Sequence, residues 1–186
     1  MEILSAVKEE KKYREYTISI GRANLVAAFF IVPILVFMVL PYFLIWHRNI
    51  FSIPGRTWWI FLVTLPVGAV VHELLHGMVW ALFVEGGFRS ISFGVKLEYL
   101  TPYCHCNKPM AVWQYFTGAM MPLLVMGIIP WIWGTIRGNE MLVFFALFYT
   151  WAAGGDIQAM WMLRKFRVGD KVEDHPEELG FIIYDY

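Results

Sequence analysis

Five consecutive residues, His72-Glu73-Leu74-Leu75-His76, give the first sign of chemistry. On a helix, two histidines four positions apart lie on one face, one turn apart, so both imidazoles can reach one Zn²⁺. Glu73 stands beside them, placed to take a proton from water that the metal activates. The bland alternative is a pair of buried histidines bonded to carbonyls or water. From average residue usage, the pattern arises by chance in roughly one chain in a hundred or more of this length. Its position in the chain must therefore decide.

That position is inside an apolar segment. Of the 186 residues, 59% are hydrophobic and 16% charged, against roughly 45–50% and about 25% in an average soluble domain. Mean hydropathy is +0.55. Such a chain is too apolar to be disordered and too poor in polar residues to cover the surface of an ordinary soluble domain. A net charge of zero excludes the basic footprint of a nucleic-acid binder. Cys104 and Cys106, the two cysteines, are too close in sequence to form a disulfide framework.

A membrane span needs about 20 mostly apolar residues. Four stretches qualify: Asn24 to Trp46, Thr57 to Val84, Ala111 to Ile136 and Met141 to Leu163. The first follows a mixed-charge segment too long for a signal-peptide n-region, so it reads as a retained helix, interrupted at Pro33. Counted by segment, Lys and Arg number 5, 2, 3, 1 and 4 from the N-terminus to the C-terminus. The positive-inside rule then places both termini in the cytoplasm. The expected fold is an all-α integral membrane protein with about four transmembrane helices and a short cytosolic β-strand or hairpin between the second and third. It forms a single membrane-embedded domain over residues 1–186, with residues 1–23 as a cytosolic segment and 164–186 as a cytosolic tail.

Ionisable residues within a span cost roughly 2.5–3.5 kcal/mol each on insertion scales and are functional by default. His72, Glu73, His76 and Asp156 all lie within spans, while no Lys or Arg does. A divalent cation would supply the missing positive charge; protonation of both acids is the competing account. Depth favours the cation. His76 lies eight residues before Val84, and Asp156 seven before Leu163, so both sit about 10–12 Å from the same boundary. Catalytic zinc commonly keeps three protein ligands and one open position, and His72, His76 and Asp156 supply three.

Between the second and third spans, Ile91, Phe93, Val95, Leu97 and Tyr99 alternate with Ser90, Ser92, Gly94, Lys96 and Glu98. Period two predicts a half-buried strand, or a hairpin broken at Gly94, the alternative being an amphipathic segment on the membrane surface. Cys104-His105-Cys106 does not have zinc-finger spacing. Free thiols beside a surface histidine account for it, with His105, Phe93 and Val95 as candidate substrate contacts. His175 and His47 read as solvated residues.

With these residues in view, the chain resembles the "putative zincin peptidases", a family of small bacterial membrane proteins. The likeness extends from about Tyr16 to Phe181 through HELLHG (72–77), FGVK (93–96), PYCHC (102–106), TGAMMP (117–122), AGGDIQ (153–158) and VEDHPEELGF (172–181). That family is similar to the site-2 proteases, intramembrane zinc metallopeptidases. The resemblance implies His72 and His76 as ligands, Glu73 as general base and Asp156 as third ligand. The aspartate context departs from the site-2 pattern, being Gly-Gly-Asp-Ile rather than Leu-Asp-Gly or Asn-Pro-Asp-Gly.

The expected function is an intramembrane zinc metalloprotease with one Zn²⁺ per chain. It would act on membrane or membrane-associated proteins from a multi-pass position in the bacterial inner membrane. The rival readings are a non-catalytic zinc-binding scaffold or sensor, and a small proton or metal transporter using Glu73 and Asp156.

Overall fold

A computed structural model describes residues 13–51, 55, 58–97 and 101–184. Lys8, Lys11, Lys12, Arg56, Thr57, Glu98 and Tyr99, which entered the expectations above, lie outside the described residues.

Among the described residues, three helices are long and apolar enough to cross a membrane: α1 (Gly21–Trp46), α2 (Trp58–Ala81) and α3 (Val112–Arg137). They match the first three expected spans within a few residues at each end. Their apolar side chains largely point outward; Phe37 is 72% exposed and Trp59 73%. Water would tolerate such surfaces poorly. Prolines inside helices remove a backbone donor, and in α1 and α3 the helix widens just beyond one. A π-helical turn over Leu35–Val39 follows Pro33, and another over Leu123–Ile128 follows Pro122. The carbonyl of Met38, within the first, accepts a hydrogen bond from Trp131 Nε1 at 2.9 Å.

The fourth expected span, Met141 to Leu163, is divided. Helix α4 (Glu140–Ala152) begins where the Asn139 side chain accepts from the Leu142 N–H at 2.9 Å, satisfying one of the free donors at a helix start. It stops at Ala153, and α5 (Gly154–Leu163) follows directly. The glycine at 154 lets α1 come close: a Cβ there would sit 3.0 Å from the Ala27 Cβ. Trp151 Nε1 donates to the Ala27 carbonyl at 2.9 Å and Gln158 Nε2 to that of Ala23 at 3.0 Å. The break just before Asp156 is thus anchored to α1 on both sides.

The all-α expectation is corrected by two antiparallel sheets among the described residues. In the smaller, β2 (Ile91–Lys96) pairs with β3 (Thr101–Cys106), with Ile91 opposite Cys106 and Lys96 opposite Thr101. This is the expected hairpin, but it does not break at Gly94, which pairs with Tyr103 inside β2. Gly94 stays within β2 because the Tyr103 ring covers it, 2.6 Å from where a Cβ would stand. Ile91 is buried as the alternation requires, but beyond it the pattern reverses: Phe93 and Val95 are exposed, while Gly94 and Lys96 are half-buried.

The larger sheet joins the ends of the chain. Its order is β1 (Tyr13–Ile18), β6 (Leu179–Tyr184), β5 (Lys171–Asp174), β4 (Met110–Ala111). Residues 13–18 and 171–184, expected only as parts of a cytosolic segment and a cytosolic tail, are therefore mostly strand. Alternation in β6 turns Phe181 and Ile183 inward, where they meet Tyr115, Met110, Val172, Leu163 and Trp80 in the largest buried apolar cluster. Full burial of a side chain such as Phe181 contributes about 1.5–3 kcal/mol. Gly180 has φ +145°, and a Cβ there would lie 2.1 Å from the Tyr16 carbonyl oxygen, so the close pairing of β1 with β6 depends on glycine. Because the sheet links the chain before α1, before α3 and after α5, these three ends share one face of the molecule.

Candidate metal centre

Helical spacing brings His72 and His76 together on α2, with ring centroids 5.0 Å apart. The start of α5 delivers Asp156 to them across 84 positions of sequence. His72 Nε2 lies 3.1 Å from Asp156 Oδ2, and His76 Nε2 lies 3.3 Å from Asp156 Oδ1. One ligand atom from each of the three residues falls within 4.8 Å of the others.

These distances suit a shared cation. Tetrahedral zinc with bonds of roughly 2.0–2.2 Å to nitrogen and oxygen places its ligands about 3.3–3.5 Å apart. The surroundings add a second point of fit. His76 Nδ1–H donates to the Gly118 carbonyl at 2.9 Å, which fixes the tautomer and leaves the Nε2 lone pair facing His72 and Asp156, as metal-ligating histidines require. Trp80, one turn further along α2, stacks on His76 at 5.2 Å and on Tyr115 at 5.1 Å. Its Nε1 donates to the Tyr115 carbonyl at 3.1 Å. A Cβ on Gly118 would stand 2.1 Å from that nitrogen, so glycine at 118 admits the indole that braces His76.

Glu73, half-buried beside the two histidines, meets the backbone N–H of Cys104 on β3. A cavity of about 390 Å³ opens over the cluster, bounded by His72, Glu73, His76, Asp156, Cys104 and His105. A second cavity, about 260 Å³, reaches His72 and Glu73 from between α2 and α4, past Leu65, Ala69 and Phe148.

His105 is not a surface histidine. Its side chain is 14% exposed, and Nδ1 is 2.9 Å from Asp174 Oδ2. Asp174 Oδ1 accepts from the Tyr115 hydroxyl at 2.8 Å. Both thiols are free. Burial, reinforced by the Glu73 and Asp174 carboxylates, pushes the Cys104 thiol well above its usual range, and burial pushes Cys106 up to about 11. They remain neutral thiols near pH 7, which makes them poor metal ligands. Phe93 packs over Gly77 of α2 rather than in the cavity, and Val95 is likewise absent from its lining. His47 is exposed as expected. His175 is not simply solvated: 13% exposed on its side chain, it accepts from the Glu178 N–H at 2.9 Å and caps the β5–β6 turn.

Tyr115, Asp174 and the Gly118 carbonyl escaped sequence reasoning because long-range folding brings them in. Trp80 was the accessible one, since it lies on the His72–His76 face at the same four-residue interval.

Fold and site together define an apolar, mostly helical protein with a His-His-Asp cluster suited to a metal ion. The chain belongs to the family described as "Putative zincin peptidase", which matches residues 65–169. Comparison with curated proteins and with solved structures finds no match. The family region contains α2 from Leu65 onward, the β2–β3 hairpin, α3, α4 and α5, and so the whole His72–Glu73–His76–Asp156 cluster. Asp174 and the strands β1, β5 and β6 fall outside it.

Proposed function

We propose that this protein is an intramembrane zinc metallopeptidase of site-2-protease type, hydrolysing peptide bonds of membrane or membrane-associated proteins. The observation that carries the reading is the convergence of His72, His76 and Asp156 beside Glu73 at the floor of an open cavity. His72, His76 and Asp156 would hold the ion. Bound there, zinc supplies Lewis acidity at a carbonyl oxygen and lowers the pKa of water.

The remaining chemistry belongs to the chain. Glu73 takes a proton from the attacking water as its oxygen bonds to the carbonyl carbon, then delivers that proton to the departing amine as the C–N bond breaks. The Gly118 carbonyl keeps His76 in its ligating tautomer. The walls of α2, α3 and α5 limit water around the reacting groups. A peptide drawn into the cavity would lie along β3, where Pro102, Tyr103, Cys104 and His105 form the wall, and strand addition would hold it extended for attack.

Membrane placement is supported by the three long apolar helices, with α4 and α5 together acting as a fourth crossing. Arg137 lies over the Trp133 ring at one end of the bundle, and Arg164 over Trp161 at the other. Such pairs suit the two interfaces of a bilayer. The sheet face, with both termini, would be cytoplasmic. The cavity between α2 and α4 offers a lateral way to Glu73 for a substrate within the bilayer.

The test is cleavage of reporter transmembrane proteins in proteoliposomes, with wild type beside Glu73→Gln. Loss of cleavage by about 10²–10⁴-fold with zinc retained supports the peptidase. Equal behaviour of the two proteins favours a scaffold, and zinc uptake into the vesicles favours a transporter.

A further inference from the structure

The cavity is lined by a second polar cluster besides the metal cluster, and one of its members, Asp174, lies beyond the family region. Asp174 at the end of β5 reaches across to two partners from other elements: Tyr115 on α3 at 2.8 Å and His105 on β3 at 2.9 Å. The carboxylate is mostly buried, 13% exposed on its side chain. An ionised carboxylate only accepts hydrogen bonds. With Oδ1 taken by the Tyr115 hydroxyl, Oδ2 accepts the Nδ1–H of His105, and this sets the ring's tautomer. Nε2 then carries the lone pair. Among the described residues nothing bonds Nε2, while the ring itself lines the cavity that holds Glu73 and Asp156.

Tyr115 is itself held firmly. Its ring stacks on Trp80, which stacks on His76, and its hydroxyl lies 3.4 Å from the Gly180 carbonyl as well. The metal cluster and His105 are therefore braced through one continuous wall, His76–Trp80–Tyr115–Asp174–His105. Three separate elements converge to fix one imidazole at the cavity wall, with no partner on its Nε2 among the described residues.

A peptide entering this cavity loses water from its backbone N–H groups. Each one left without an acceptor costs more than a made hydrogen bond returns. We propose that His105, oriented by Asp174 and Tyr115, is a substrate-binding residue whose Nε2 accepts a backbone N–H of the bound peptide. The proposal rests on the peptidase reading above and adds to it the part of the substrate that is recognised: main chain, independent of side-chain identity. It also gives the C-terminal strands a role at the site, since Asp174 is theirs.

The experiment uses detergent-purified full-length protein loaded with zinc and a tri-leucyl hydroxamate as probe. Analogues of the probe carry an N-methyl group on each backbone amide in turn. Affinities are measured on wild type, His105→Ala and His105→Leu, the last keeping most of the ring's volume. Zinc content is determined on each preparation. The expected result is that one methylated analogue binds wild type about five- to tenfold more weakly than the parent probe. On both variants the same methylation should change affinity less than about twofold, with zinc content unchanged.

A structural role alone would lower the stability of the variants without altering the response to methylation. If zinc is retained and methylation has the same effect on wild type and variants, His105 is only a tie between β3 and β5, and the proposal falls while the peptidase reading stands. Failure of zinc-loaded wild type to bind the parent probe likewise overturns the proposal. Wild type that takes up no zinc overturns the peptidase reading itself, a different result from either.

Discussion

Two polar clusters face one cavity and are assembled by different means. The His72–Glu73–His76–Asp156 cluster is borne by helices; three of its four residues come from little more than one turn of α2, and the fourth from the first turn of α5. The His105–Asp174–Tyr115 cluster is borne largely by strands, with partners 69 and 59 positions apart. In the first, covalent spacing does most of the positioning, because a helix cannot separate residues four apart. In the second, geometry depends on strand pairing between distant segments. The first should tolerate damage to the sheet, whereas the second should not.

Phe181→Ala tests that contrast most severely. Phe181 is fully buried and its ring meets those of Tyr16, Tyr115 and Phe166. Its truncation should cost about 3–5 kcal/mol, measured by denaturant titration in detergent. Protease sensitivity should rise at both chain ends while zinc content is preserved. Loss of zinc along with the sheet would show that the clusters form one unit.

Gly180→Ala makes a narrower cut in the same region. The added Cβ would strike the Tyr16 backbone, and the residue would hold a φ that favours glycine. A loss of about 1–3 kcal/mol is expected, together with faster hydrogen exchange in residues 13–18. Unchanged exchange there would mean that β1 does not depend on this approach.

Gly118→Ala reverses the comparison. Its Cβ would displace Trp80, which is confined between His76 and Tyr115. Zinc affinity should fall about 10–100-fold, as for other groups that orient metal-ligating histidines. Metal-buffered titration would measure it, and the terminal sheet should keep its exchange protection.

The smallest effect concerns the Cys104 thiol at the cavity wall. Burial holds Cys104 above its usual titration range, so the neutral form persists through pH 8. Its alkylation by iodoacetamide at pH 8 should be at least about tenfold slower than that of free cysteine. The rate should rise only as pH passes the raised value, not across the ordinary range near about 8.5. Rapid modification at pH 8 would place the thiol in water.

The same contrast explains what could be read from the sequence. The spacing of His72, Glu73 and His76 is a local property of a helix and is visible in five letters. Asp156 was legible through depth, because two apolar segments of known rise must end at the same boundary. Ser90 to Tyr99 showed a strand but not its turn, since Gly94 serves the Tyr103 ring rather than a reversal of the chain. The larger sheet was not legible. Tyr13 pairs with Tyr184 across nearly the whole chain, and nothing local in a short, charged segment such as Lys171–Asp174 marks it as a strand that pairs with Met110–Ala111. Asp174 and Tyr115 went unnoticed for the same reason, and so did the burial of His105.

The account depends above all on whether the helical cluster holds a metal ion. The direct measurement is zinc content of detergent-purified wild type beside His72→Ala, Asp156→Ala and Glu73→Gln, all checked for folding. About one zinc per chain is expected in wild type and Glu73→Gln, with loss in the His72 and Asp156 variants. Well-folded wild type that takes up no zinc when it is supplied, or that keeps it without His72 and Asp156, would contradict the account.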